Sequence, residues 1–188
     1  MATEHQLLRK ARKLDPEALA EIYDLYSEGL FRYAYRQLGD THLAEDCVAD
    51  TFRRLLQAFS KGGGPKHHLQ AYLYRIAHNW ITDTYRSKHE QVDPLDEQVE
   101  ARPHPDAAVE EQAMHAISMA HVRAALHHLT EDQRQAITLK FLEGWSNAEI
   151  AEAMERPVGA VKALTQRGVA ALQRILVTEK ETFYELTT

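Results

Sequence analysis

Between Arg156 and Leu176 the chain carries four cations, Arg156, Lys162, Arg167 and Arg174, and no carboxylate, although its formal net charge is −6. Such a cluster can hold a polyanion. Long donors beside small side chains suit the major groove of DNA, where arginine and glutamine side chains read base edges. That chemistry needs a helix to carry it, and SNAEIAEAMERPVGAVKALTQRGVAALQRIL, residues 146–176, spells two short amphipathic helices around a tight turn. Ser146 can cap the first helix, and Glu149 stands three residues on, where a capping box places a carboxylate. Ile150, Ala151 and Met154 form its inner stripe. Arg156-Pro157 forbids simple continuation, because proline lacks a donor and disfavours the helical region for the residue before it. A second helix must start near Val158. Val161, Leu164, Gly168, Ala171, Leu172 and Ile175 recur at helical spacing, which leaves Ala160, Lys162, Ala163, Gln166, Arg167 and Arg174 facing outward. The competing reading is an ordinary helical hairpin inside a bundle.

A second concentration of chemistry lies upstream. From Lys61 to Glu90 there are five bases (Lys61, Lys66, Arg75, Arg86, Lys88), two acids (Asp83, Glu90), and His67, His68, His78 and His89. Tyr72, Tyr74, Trp80 and Tyr85 interleave with them, as in surfaces that stack unpaired bases while holding phosphates. Aromatic residues at helical spacing equally serve as core, and Tyr72 and Trp80 fit that role by pattern. Arg75, Asn79, Asp83 and Arg86, followed by Lys88, recur near the helical period and form one outward row.

Three helices must position this row. Leu19, Ile22, Tyr23, Tyr26, Leu30, Tyr33 and Ala34 share a face of one that ends near Gly39. Ala44, Val48, Phe52, Leu55, Leu56 and Phe59 mark a second, and Leu69, Tyr72, Leu73, Ile76, Trp80 and Ile81 a third. The second opens with Glu45, Asp46 and Asp50 and continues with Arg53 and Arg54. Between these helices and the carboxyl-terminal pair, residues 91–112 carry seven carboxylates against Arg102, with prolines at 94, 103 and 105. Like charges repel and prolines stiffen, so this segment reads as a flexible acidic linker. The expected organisation is a helical domain over 1–90, the linker over 91–112, a helix-turn-helix domain over 113–177, and a short frayed tail over 178–188.

At 188 residues the chain has room for two small domains. Alternating β-branched runs are absent and Ala, Leu, Glu, Arg and Gln dominate, so the fold class is all-α. Cys47 stands alone, which excludes an intrachain disulfide and suits a small buried hydrophobe in a reducing, cytoplasmic setting. The amino terminus lacks an apolar run of signal-peptide length, and no segment approaches the roughly eighteen apolar residues of a membrane span. His67-His68 and His127-His128 are adjacent pairs, whereas helix-borne metal ligands sit three or four apart, and His115 and His121 do not change this. Neither a metal nor a cofactor is expected. No nucleophile, base and orienting group can be picked out together, which argues against an enzyme.

In order and spacing these pieces resemble an extracytoplasmic-function sigma factor of the sigma-70 family, from about Pro16 to Leu176. EDCVADTFRRLLQAF at 45–59 is similar to the family's region 2.2, and AYLYRIAHNWITDTYRSK at 71–88 to regions 2.3 and 2.4. LTEDQRQAITLKFLEGWSNAEIAEAMERPVGAVKALTQR at 129–167 is similar to region 4. The resemblance implies a bacterial transcription initiation factor that binds core RNA polymerase through its β′ clamp helices and β flap and directs it to promoter DNA. The polymerase contacts would fall on Asp46, Asp50, Phe52, Arg53 and Gln57. The −10 element would be opened by Lys66, Arg75, Asn79, Asp83, Arg86 and Lys88, with Asn79 at a position that lines the pocket for an extruded base and residues 60–68 completing it. The −35 element would be read by Val158, Ala160, Lys162, Ala163, Gln166 and Arg167.

The chain departs from its relatives in two places. Gly62-Gly63-Gly64-Pro65 with two histidines replaces a tighter, aromatic-rich segment, and Ala160 and Ala163 stand where relatives often carry hydrogen-bonding side chains. Recognition at −35 would then lean on DNA shape. A sequence pI near 6.0 implies weak phosphate attraction unaided. An anti-sigma factor that clamps the two domains together would fit the tether. The alternative is a conventional helix-turn-helix regulator that binds DNA without polymerase.

Overall fold

The computed structural model describes residues 3–91 and 121–185, and the side chains of 3–87 and 121–175. Five helices begin where a short polar side chain, Thr3, Asp15, Asp40, Thr130 or Ser146, satisfies free N–H groups of the first turn. Helix α1, Glu4–Ala11, has a complete capping box between Thr3 and Gln6. Helix α2, Pro16–Leu38, is capped by Asp15, whose carboxylate accepts from the Ala18 N–H at 2.9 Å. It stops at Gly39, which takes the left-handed conformation with φ +69°. Asp40 then caps α3, Thr41–Ser60, and a loop leads to α4, Leu69–Gln91.

Residues 121–127 are helical (α5). Helix α6, Glu131–Ile137, continues without a break into a π turn, Thr138–Leu142. Helix α7, Asn147–Met154, carries the Ser146–Glu149 capping box, and α8 spans Val158–Glu185. Its backbone runs through the stretch expected as a frayed tail from Thr178 on. The acidic linker lies outside the described residues, apart from Gln91, which ends α4.

Helices α1–α4 bury Leu8, Ile22, Leu30, Tyr33, Cys47, Leu55, Leu73 and Ile81 in one core. Burial pushes the Cys47 thiol up to about 12, so this side chain behaves as an apolar filler. The same cluster runs on through Leu139, Trp145, Ile150, Ala153 and Val161, so the cores of the two helical units are continuous. The Tyr74 and Trp145 rings lie 4.7 Å apart across the junction. Arg36 of α2 reaches over it, donating to the Leu142 carbonyl at 2.7 Å and pairing with Glu143. A second cluster, Leu126, Leu129 and Ile137 with Val169 and Leu172 against it, ties α8 to α5 and α6.

Five side-chain assignments need correction. Tyr23 is 51% and Leu56 41% exposed, because the apolar stripes of α2 and α3 are wider than the surface each can bury. In α7 the fully buried small residue is Ala153, while Ala151 and Met154 are only partly covered. Tyr74, expected among the surface aromatics, is buried in the core of α4, whereas Tyr72 and Trp80 sit at its margin.

Candidate nucleic-acid and polymerase interface

The helix-turn-helix is built by local rules. The Ser146 N–H donates to Glu149 Oε2 at 2.8 Å, and the Glu149 N–H returns a bond to the Ser146 hydroxyl. Hydrogen bonding from the Ser146 side chain and then from its backbone N–H holds the Glu149 carboxyl below its ordinary value. Helix α7 ends at Glu155, whose φ of +51° turns the chain, and Arg156 N–H closes on the Ala151 carbonyl at 3.0 Å. Pro157 supplies the carbonyl that accepts the first α8 bonds, from Ala160 and Val161. The turn is therefore made by a left-handed glutamate followed by a proline, and not by Arg156-Pro157 alone.

On α8, Val161 and Leu164 face the core and Gly168 sits against Ile137, while Val158, Lys162, Gln166 and Arg167 are exposed. Ala160 and Ala163 are half-buried between them. Arg167 donates to the Ala163 carbonyl one turn back, which holds its guanidinium along the helix. A cationic, groove-sized edge is thus already presented.

The row on α4 is placed differently. Asn79, Asp83 and Arg86 are exposed and Arg75 half-buried, all along one side as the spacing required. Arg75 forms an ion pair with Glu155 of the helix-turn-helix turn, and Arg86 pairs with Glu131 of α6 at 3.0 Å. Two concavities flank this seam. One, about 660 Å³, is lined by His67, His68, Tyr72 and Arg75 on one side and by Glu152, Arg156 and Val158 on the other. The second, about 510 Å³, holds Asn79, Asp83 and Arg86 against Glu131 and Asp132. Asn79 and the 60–68 loop therefore open onto different concavities, joined through Arg75, which lines both. Lys66 is exposed, and the Lys88 side chain lies outside the described ones.

His78 sits beneath the row, nearly buried, with the Tyr33 hydroxyl 3.2 Å from Nδ1. Burial, followed by the Arg134 guanidinium, lowers its pKa to about 4, so it is neutral at physiological pH. Arg134 is itself buried, 4.9 Å over the Tyr85 ring. Its Nε and the buried hydroxyls of Thr82 and Thr138 find no hydrogen-bond partner among the described residues.

Helix α3 exposes Asp46, Arg53 and Gln57, with Asp50 and Phe52 half-buried. Burial raises the Asp50 carboxyl, but hydrogen bonds from Arg53 and Arg54 outweigh it and leave the group below its ordinary value. The Tyr23 ring lies 4.9 Å from Phe52, so Tyr23 and Leu56 add an apolar patch to this polar face. Sequence periodicity hid both by assigning them inward. Among the described residues no group of three His, Cys, Asp or Glu converges to hold a metal ion, and no helix is long and apolar enough to cross a membrane.

All-helical in its described residues, with a capped helix-turn-helix packed on a four-helix, cation-faced unit, the chain has the architecture of a sigma factor. Residues 22–91 match Sigma-70 region 2 and residues 120–172 match Sigma-70, region 4. The chain belongs to the extracytoplasmic-function RNA polymerase sigma factors of the sigma-70 family. It is 29% identical to the ECF RNA polymerase sigma factor SigW of Bacillus subtilis over 181 residues, covering 90% of this chain and 94% of SigW. SigL of Mycobacterium tuberculosis is 30% identical over 156 residues, covering 82% and 86% respectively. BldN of Streptomyces coelicolor is 29% identical over 171 residues, and the match covers 91% of this chain but 65% of BldN. Among solved structures, CnrH in complex with the cytosolic domain of CnrY superposes with a TM-score of 0.68 at 24% identity, covering 92% of this chain and 96% of CnrH. RpoE in complex with the anti-sigma factor NepR from Bartonella quintana gives 0.59 at 24% identity, covering 84% and 95%. At that identity the likeness concerns the fold.

Proposed function

We propose that this sigma factor divides its work between the two faces just described. Residues 1–90 form the unit that binds core polymerase and opens the −10 element, 113–177 the unit that reads the −35 element, and 91–112 the tether between them. Asp46, Asp50, Phe52, Arg53 and Gln57, joined by Tyr23 and Leu56, offer the β′ clamp helices an apolar centre with a charged rim. That composition suits a protein interface. Lys66, Arg75, Asn79, Asp83, Arg86 and Lys88 engage the −10 strand. Extruding a base costs a few kcal/mol, which contacts in the concavity beside Tyr72 and Arg75 must offset. Val158, Ala160, Lys162, Ala163, Gln166 and Arg167 meet the −35 groove, with the β flap holding the helix-turn-helix unit in place.

The observation that carries this reading is the pairing of Arg75 and Arg86 with Glu155 and Glu131. While the two units stay packed, the chain's own carboxylates compete with DNA for this row of cations. A partner that fixes their separation would therefore switch the row on. Core polymerase is that partner here, and an anti-sigma factor, like those bound to relatives of this fold, would act by keeping the units together. The protein works as a non-enzymatic cytoplasmic initiation factor.

Run-off transcription with purified core polymerase tests the proposal. Promoter-dependent transcripts are expected only with both components, and Arg75→Ala with Arg86→Ala should abolish opening at −10 while leaving core binding intact. Failure to bind core, with a palindromic footprint by the protein alone, would establish a conventional regulator instead.

A further inference from the structure

The loop between α3 and α4 is held in an improbable shape. Gly62 and Gly64 have φ of +73° and +82°, and His68, a residue with a side chain, sits at +55°. A Cβ on Gly64 would lie 2.8 Å from the Phe59 ring. Left-handed backbone at a non-glycine residue costs on the order of 1 kcal/mol and persists only where the surroundings enforce it. The loop's own backbone bonds, Gly62 N–H to the Phe59 carbonyl and Gly63 N–H to that of Ala58, secure only its beginning.

The rest of the hold comes from α1, more than fifty residues away in the chain. Arg12 Nη1 donates to the carbonyls of Gly64 at 3.2 Å and Pro65 at 3.4 Å, and Nη2 donates to that of Gly62 at 3.1 Å. One planar guanidinium thus spans three carbonyls of one turn with two separate nitrogens, where an ammonium would have to reach all three from a single atom. Glu4 Oε1 accepts the Leu69 N–H at 2.7 Å, supplying α4 with the cap that His68 does not provide. The His5 and His67 rings stack with centroids 5.9 Å apart. Both ends of the loop are therefore fixed by one helix, while Lys66, His67 and His68 project into solvent and the two histidines line the concavity beside Tyr72 and Arg75. Helix α1 lies ahead of the stretch that matches Sigma-70 region 2.

We infer that α1 is a strap that sets base selectivity at −10: Arg12 and Glu4 are positioning residues that fix residues 61–68 in the shape offered to the extruded base. This rests on the proposed role of that loop at the −10 element. With the strap cut, the loop samples several shapes and accepts several bases, so discrimination falls while the rest of the holoenzyme is unaltered.

The test uses holoenzyme reconstituted with core polymerase on a promoter library that varies each −10 base beside a fixed −35 element. Arg12→Ala is expected to lower the ratio of best to second-best base roughly tenfold, the scale of hydrogen bonds made by a charged donor. Dependence on the −35 sequence should be unchanged, and Arg12→Lys should recover only part of the ratio. A uniform fall in transcription with base ratios intact, or no change at all, overturns the strap. Should Arg12→Ala not fold, Glu4→Ala takes its place: lost selectivity that Glu4→Gln restores supports the inference, and retained selectivity overturns it. The double substitution His67→Ala, His68→Ala separates the two levels. If it alters base preference and Arg12→Ala does not, the strap fails and the loop's role stands. If neither alters it, the loop's role at −10 has failed.

Discussion

The two helices proposed to face DNA carry similar charge and differ in availability. On α8, Lys162, Gln166 and Arg167 are exposed, and the arginine's hydrogen bond goes to its own helix. On α4, the cations at both ends of the row are paired with carboxylates of α6 and the helix-turn-helix turn. Outward spacing in a sequence thus tells which side chains leave the core, but not which of them remain free once a second unit packs against the first. Under the proposed division of work the difference also orders events: the α8 face is presented in the free protein, whereas the α4 row would have to be uncovered. The shared apolar core opposes parting of the seam that covers it, while Arg134 Nε and the Thr82 and Thr138 hydroxyls, buried without partners among the described residues, subtract about 1–3 kcal/mol each from packing.

The largest expected effect on this contrast is acidification. His78 faces Tyr33 from α2 and Arg134 and Asp132 from α6, and its pKa falls from an ordinary 6.5 to about 4 in the packed state. The depressed value means that the packed state binds fewer protons than a state with His78 in water. Packing is therefore fully supported above pH 6.5 and is progressively lost as pH falls toward 4. A parted state that hydrates His78 completely would lower the packing free energy by about 2 kcal/mol at pH 5, and one that keeps the Tyr33 contact by less. Fluorophores on α3 and α8 should separate on acidification in the wild-type chain, and His78→Gln should flatten that response. An unchanged response in the variant would place the sensitivity elsewhere.

A smaller effect should strike the opposite face alone. A Cβ on Gly168 would meet Ile137 Cγ1 at 2.8 Å and Cδ1 at 3.2 Å, so Gly168→Val must push α8 off α6. Overpacking of this kind costs about 1–3 kcal/mol. Binding to −35 duplexes should weaken and the carboxyl-terminal unit should melt earlier, while affinity for core polymerase through α3 is retained. Equal loss of both activities would show that the two units do not respond separately.

How much of this was legible in the sequence follows the range of the interactions. The Ser146–Glu149 box, the stop at Gly39 and the start of α8 at Val158 are local events, and residue types alone locate them. Helix α1 was also readable, since Thr3 and Gln6 stand at capping-box spacing before Leu7 and Leu8, but its short apolar stripe gives little periodicity. The π turn at Thr138–Leu142 leaves no comparable mark, because its wider hydrogen-bond spacing is imposed by the Arg36 and Trp145 contacts around it. The separation of Asn79 from the 60–68 loop and the carboxylates over Arg75 and Arg86 depend on packing between distant parts of the chain, which no window of sequence contains.

The smallest effect is the sharpest test of the contrast. Glu131 and Glu155 are 44% and 71% exposed in their side chains, so each pair with its arginine is worth less than about 1 kcal/mol and weakens with salt. Glu131→Gln with Glu155→Gln should leave the fold unchanged and shift the balance of packed and parted forms by a few-fold. Because the carboxylates cover α4 and not α8, the gain should appear in binding of −10 single strands by the isolated protein, at low salt, and vanish at high salt. Binding of −35 duplexes should not move, and Glu45→Gln, which removes an exposed carboxylate on α3, should not reproduce the gain. A rise in affinity for both DNA elements would mean that the substitutions act through net charge alone, and the carboxylates would then be bystanders to the covering of the α4 row.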